Sequence, residues 1–135
     1  MTEKDNTCDQ LTFFEYKKVL KAKGKMSFKV LTDSMTPLIL PGENIEVVPC
    51  DEFKKFDVVI FWDGEKLVSH YIWHKNLLQQ RNKNSLYTTR SLISPNLDDL
   101  PVSEMHILGL VTDRKISLFQ KLKILFLGKT KKSPF

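Results

Sequence analysis

The chain has 135 residues, 41% of them hydrophobic, and a net charge of +5 at neutral pH. That length fits one domain around one core, and the low glycine and proline content excludes a disordered or fibrous chain. The lysines and arginines are spread out and thicken only at residues 17–29 and from 114 onward. No helix-turn-helix, zinc-finger or aromatic-basic RNA-binding pattern accompanies them, so the charge reads as a solvated face and no nucleic-acid partner is expected.

The first ten residues, MTEKDNTCDQ, are polar and acidic and lack the basic start and apolar run of a signal peptide. Thr12 and Glu15 have the spacing of a capping box, with Leu11 and Tyr16 as its hydrophobic staple, and predict a helix over about 13–23 that stops at Gly24. Phe13, Tyr16 and Leu20 form its expected buried stripe.

Beyond Gly24 the period changes. MSFKVLT, NIEVVP, DVVIFW, KLVSHYIW, SLYTT and ILGLVT are short runs of β-branched and aromatic residues, bounded by Pro, Gly, Asn and Asp clusters. They predict a small, mainly β, mostly antiparallel fold. Asp63-Gly64 between IFW and KLVSHYIW predicts a hairpin with a type I′ turn. From Lys115 to Gly128 helical spacing returns, with Leu118, Phe119, Leu122, Leu125 and Phe126 on one face and Lys121 and Lys123 off it. The first expectation is a helix closing the core; the second is a basic amphipathic helix on anionic lipid. ISLFQKLKILFLG is broken by two lysines and is shorter than the ~20 residues of a membrane span. TKKSPF reads as a disordered end. Cys8 and Cys50 stand in no metal-spaced or redox pair, as in a chain with free thiols in a reducing compartment.

Chemistry concentrates in two segments. In TDSMTPLILPGE, Ser34 stands between an acid and a methionine on a proline-marked bend, which suits a cap or turn as well as a nucleophile. In KLVSHYIWHK, strand alternation puts Val68, His70, Ile72 and His74 on one face and Leu67, Ser69, Tyr71 and Trp73 on the other. His70 and His74 would lie about 13 Å apart at ~3.3 Å per residue, so they cannot serve one nucleophile or one metal ion. The run lacks the glutamate of H-E-x-x-H, and no metal or other cofactor is expected.

The order of segments resembles the superfamily that joins type I signal peptidases to the self-cleaving LexA-like repressors. Its motifs are S-G-S-M-x-P-T-L, G-D, G-D-V-V-x-F, a lysine or histidine base, T-K-G-D and I-x-G-x-V. This chain offers Thr32-Asp33-Ser34-Met35-Thr36-Pro37-Leu38, Gly42-Glu43, Phe56-Asp57-Val58-Val59-Ile60-Phe61, His70-Tyr71-Ile72, Thr89-Arg90 and Ile107-Leu108-Gly109-Leu110-Val111. The match spans about 27–112 of a single peptidase-like domain. A histidine base is similar to the endoplasmic-reticulum, archaeal and sporulation-type signal peptidases, and the short N-terminal helix resembles a small soluble branch.

The resemblance implies Ser34 as nucleophile and His70 as its base, because a serine hydroxyl attacks well only when a neighbour takes its proton and an imidazole titrating near ~6.5 can do so at neutral pH. It implies the Ser34 N–H and the Thr32 hydroxyl as oxyanion donors. Leu92 stands where the family has an aspartate, so the orienting acid would be Asp98 or Asp99 in NLDD. Asp33 and Phe56 replace family glycines, and Met35 packs under the bend or lines the substrate cleft. The expected activity is cleavage of an extended peptide laid along a strand edge. The alternatives are a catalytically impaired peptide-binding module and a self-cleaving regulator, the latter opposed by the lack of a DNA-binding domain and of a lysine base. The expected location is the cytoplasm, with surface attachment through residues 115–128.

Overall fold

The computed structural model describes residues 7–76 and 85–130, with side chains as far as Phe126. The chain runs α1 (Gln10–Lys23), β1 (Met26–Lys29), β2 (Asn44–Val48), β3 (Val58–Trp62), β4 (Leu67–Asn76), β5 (Leu86–Arg90), β6 (Val102–Ser103), a 3₁₀ turn (Glu104–His106), β7 (Ile107–Val111) and α2 (Leu118–Thr130). The architecture is mainly β. The seven strands of the described residues join one sheet in the order β1-β2-β7-β3-β4-β5-β6, and every neighbouring pair is antiparallel.

The sheet buries both faces. Val58, Ile60, Tyr71 and Leu108 pack with Phe13 and Leu20 of α1, while Val59, Phe61 and Ile72 pack with Phe53, Tyr87 and Ile107 on the other side. This two-sided burial explains why VVIF in β3 is continuously apolar, with all four residues buried. Removing each such side chain from water contributes about 1.5–3 kcal/mol. Gly109 sits where β7 passes β2: a Cβ there would lie 2.4 Å from the Val48 carbonyl oxygen and 2.8 Å from Val47 Cγ1. No side chain fits that gap, and glycine is the residue the packing requires.

Three expectations are corrected. Helix α1 begins at Gln10, not Phe13, and its N-cap is Asp9, whose Oδ1 accepts the Thr12 N–H at 2.8 Å. Thr12 is thus inside the helix, and Leu11, meant for a staple, is exposed. Asp9 caps the helix three residues earlier than a Thr12 cap would, so the Thr12 N–H is itself one of the first-turn donors that the cap satisfies. The β3–β4 hairpin forms with Trp62 opposite Leu67, but only Gly64 has positive φ (105°), so the turn is not type I′. Asp63 instead accepts from the Glu65 and Lys66 N–H groups through Oδ1, each at 2.9 Å.

The third correction concerns α2. It does not close the core with the five apolar residues read for that purpose; Leu118, Phe119, Leu122, Leu125 and Phe126 are all exposed, and Ile124 with Ile116 makes the buried contact. Ser117 and Gln120 cap its start reciprocally, with Ser117 N–H donating to Gln120 Oε1 and Gln120 N–H to Ser117 Oγ, both at 3.1 Å. Lys131–Phe135, within the end read as disordered, lies outside the described residues. Cys8 and Cys50 carry free thiols. Among the described residues no helix is long and apolar enough to cross a membrane.

Candidate active site

The bend after β1 is closed at its neck and pinned at its tip. Val30 N–H donates to the Glu43 carbonyl at 2.9 Å, and Gly42 N–H donates to the Val30 carbonyl at 2.6 Å. Inside the loop, the Thr36 N–H and hydroxyl both reach the Asp33 carbonyl, at 3.2 and 3.0 Å, and the Thr36-Pro37 peptide is cis. Met35 and Ile39, both 0% exposed, anchor the bend in the core. Met35 therefore supports the loop from below and does not line the cleft; it faces the α1 side of the sheet with Ile39. The Ser34 carbonyl accepts the N–H groups of Leu92 and Ile93 at 3.0 and 3.2 Å. The segment around Leu92 thus holds the serine through its backbone.

His70 lies on β4 opposite Val59, with its ring edge against Phe61 at a centroid separation of 5.9 Å. Its Nδ1 is 2.6 Å from Asp99 Oδ2, and the two side chains are 14% and 32% exposed. Partial burial shields this bond from competing water and strengthens it. Asp99 is itself fixed: its N–H donates to the Thr89 carbonyl at 2.9 Å, and the Thr89 hydroxyl donates to Oδ2 at 2.7 Å. With a carboxylate on Nδ1, that nitrogen carries the proton and Nε2 is left as the acceptor.

Asp98, the other candidate acid, turns away. Its Oδ1 takes Arg90 Nε at 2.6 Å, while Arg90 Nη1 holds the Pro95 carbonyl at 2.6 Å and the guanidinium lies 4.1 Å from the centre of the Trp73 ring. This clasp folds the 95–98 loop so that the next acid reaches the imidazole. His74 is exposed beyond an irregularity in the β4–β5 register between Ile72 and His74, and takes no part.

Thr32, Ser34, His70 and Asp99 line one cavity of about 800 Å³, with apolar walls that include Phe28, Ile60, Trp62 and Leu100. Among the described residues no hydrogen bond joins Ser34 to His70; the Ser34 Oγ lies 3.3 Å from Thr32 Oγ1. Serine and base in unliganded sites often stand beyond hydrogen-bond reach and tighten on substrate. Sequence reading did not single out Thr89 as the support of Asp99, nor Ser69 and His106 as cavity residues. For Thr89 a signal existed, since a hydroxyl two residues along from Tyr87 shares its buried face.

Phe56 has a φ of 77°, a left-handed geometry that glycine adopts without strain and a phenylalanine does not. Its N–H donates to the Ile72 carbonyl at 2.6 Å and its ring stacks on Tyr71 with centroids 6.1 Å apart, contacts that offset a backbone cost of order 1–3 kcal/mol. Among the described residues no group of three His, Cys, Asp or Glu side chains could hold a metal ion. Comparison with protein-family models, with curated proteins and with solved structures finds no match to this chain.

Proposed function

We propose that the protein is a serine endopeptidase of the signal-peptidase and LexA-like kind, with Ser34 as nucleophile, His70 as general base and Asp99 as the acid that orients it. The observation that carries this reading is the 2.6 Å bond from His70 Nδ1 to a carboxylate itself held by Thr89, in the cavity that Ser34 shares. His70 Nε2 takes the proton from Ser34 Oγ as Oγ bonds to the scissile carbonyl carbon. The resulting oxyanion meets the Thr32 hydroxyl and the Ser34 N–H, a group with no hydrogen bond among the described residues. The C–N bond then breaks and the amine leaves with the proton from Nε2. Water repeats the sequence on the acyl-serine, restoring the hydroxyl.

The substrate is an extended peptide. β1 is an edge strand, and Val30 directs its N–H and C=O to the 42–43 segment, so by alternation Lys29 and Leu31 turn theirs to the open edge. Leu31 also lines the cavity, and a peptide pairing there would run past Ser34. The apolar walls favour apolar side chains near the scissile bond.

The 3.3 Å contact of Ser34 with Thr32, and Asp33 in place of glycine, favour a second reading in which the groove binds peptide without cutting it. A fluorophosphonate probe separates the two. Catalysis requires labelling of the wild type that disappears in Ser34→Ala and falls in His70→Ala; an unlabelled wild type leaves the binding module. Incubation of the intact chain tests self-cleavage, which should yield no fragments.

A further inference from the structure

Helix α2 is attached to the body by a narrow contact. Ile124 is 3% exposed, and Lys121 Nζ lies 5.5 Å from the Phe56 ring centre. On a helix that turns about 100° per residue, Leu118, Phe119, Leu122, Leu125 and Phe126 share one face, Ile124 falls on the opposite one, and Lys121 and Lys123 fall on the two flanks between. The five apolar residues are 73%, 75%, 58%, 40% and 66% exposed. From position 115 the sequence holds Lys115, Lys121, Lys123, Lys129, Lys131 and Lys132 and no aspartate or glutamate. Lys55 of the body adds a further cation 6.0 Å from the same Phe56 ring.

We infer that this face docks on an anionic bilayer surface, with its apolar side chains at the boundary of headgroups and acyl chains and its lysines at the level of the phosphates. An apolar face outlined on both sides by one sign of charge matches a surface that is anionic everywhere. The lysine stems cover the flanks of the apolar face while their heads stay in water. A helical protein partner would instead call for a narrower apolar seam with charges of both signs beside it. A second copy of this chain is disfavoured because stacking the same face on itself brings Lys121 and Lys123 against their own kind. The inference does not depend on hydrolysis at Ser34.

Co-sedimentation of the full chain with vesicles tests it, using phosphatidylcholine alone against phosphatidylcholine with phosphatidylglycerol. The expected result is binding to the anionic vesicles that weakens with salt, and little binding to the neutral ones. Lys121→Gln with Lys123→Gln should lower the partition coefficient about 30-fold, two surface cations at the usual strength of attraction. Leu122→Glu with Phe126→Glu should abolish binding while the melting temperature stays at the wild-type value, because both side chains are already exposed. Ser34→Ala should bind as the wild type does, which keeps this test separate from that of the peptidase reading. Wild type that ignores anionic vesicles, or binds neutral and anionic ones alike, overturns the inference. So does a concentration-dependent dimer, seen by analytical ultracentrifugation and lost in Phe126→Glu, in a protein that leaves the vesicles in the supernatant.

Discussion

His70 and His106 line the same cavity, the first bonded through Nδ1 to Asp99 at 2.6 Å, the second enclosed by aromatic rings. His106 lies 5.4 Å from the Trp62 ring, 6.1 Å from Phe13 and 6.2 Å from Phe14, between centroids. Burial, and then the nearby Lys17 cation, push its pKa below the ordinary imidazole value. One ring has a carboxylate to stabilise the imidazolium that a base becomes; the other has neighbours that disfavour any charge. The same side chain is therefore a catalytic candidate in one wall and a wedge between α1 and the sheet in the other. What distinguishes them is the partner, not the exposure to the cavity.

The largest expected effect breaks this contrast outright. Asp99→Asn should lower kcat by about 10⁴, with a melting temperature near that of the wild type, since the amide cannot stabilise the imidazolium or hold the tautomer. Asp98→Asn, measured in the same assay, should cost at most about tenfold, because its amide oxygen can still accept from Arg90 Nε and keep the clasp that positions Asp99. If both variants fall alike, the carboxylate at His70 is not what sets it apart.

Thr32→Val should cost about 10²-fold in kcat with little change in KM, the usual loss on removing one oxyanion donor. A rise in KM alone would assign the hydroxyl to binding.

The third test concerns stability. Because the folded pKa of His106 lies below its unfolded value, the unfolded chain takes up the proton first. Stability should therefore fall as pH drops below about 6.5 and level off below the folded pKa. Thermal melts across that range should show this slope, and His106→Gln should flatten it. An unchanged slope in the variant would remove the distinction drawn for this ring.

The smallest effect sharpens the boundary of the site. Tyr71 follows His70 but points to the opposite face, where burial pushes its pKa up to about 12 and its hydroxyl finds no hydrogen-bond partner among the described residues. Tyr71→Phe should leave the rate unchanged and keep or raise stability by up to about 1 kcal/mol, as seen when a buried hydroxyl without a partner is removed. A tenfold loss of rate would extend the site through the strand.

Much of the sheet was legible because short β-branched runs bounded by turn residues carry their own signal. β6 escaped because Val102–Ser103 is two residues long and pairs only because β5 is already in place. The order of motifs put Ser34 and His70 together, and both line one cavity. The choice between Asp98 and Asp99 was not legible, because adjacent acids look alike until Arg90 captures one of them. Met35 was open between cleft and core, and the bend turned it inward with Ile39. For α1 and α2 the same apolar periodicity led to opposite outcomes. Periodicity says that a face is apolar, but not whether another element is there to cover it.

The amino-acid order alone determined the mainly β character, the hairpin at Asp63-Gly64 and the glycine end of α1. These depend on contacts a few residues apart, where backbone preference and turn chemistry act directly. The tertiary structure decided which acid meets the imidazole, that Thr89 supports it, and which apolar face of the molecule is left uncovered. Such choices join positions well beyond a turn's reach, from Thr89 to Asp99, ten residues apart, to Ser34 and Leu92, and only the packed sheet brings them within bonding distance.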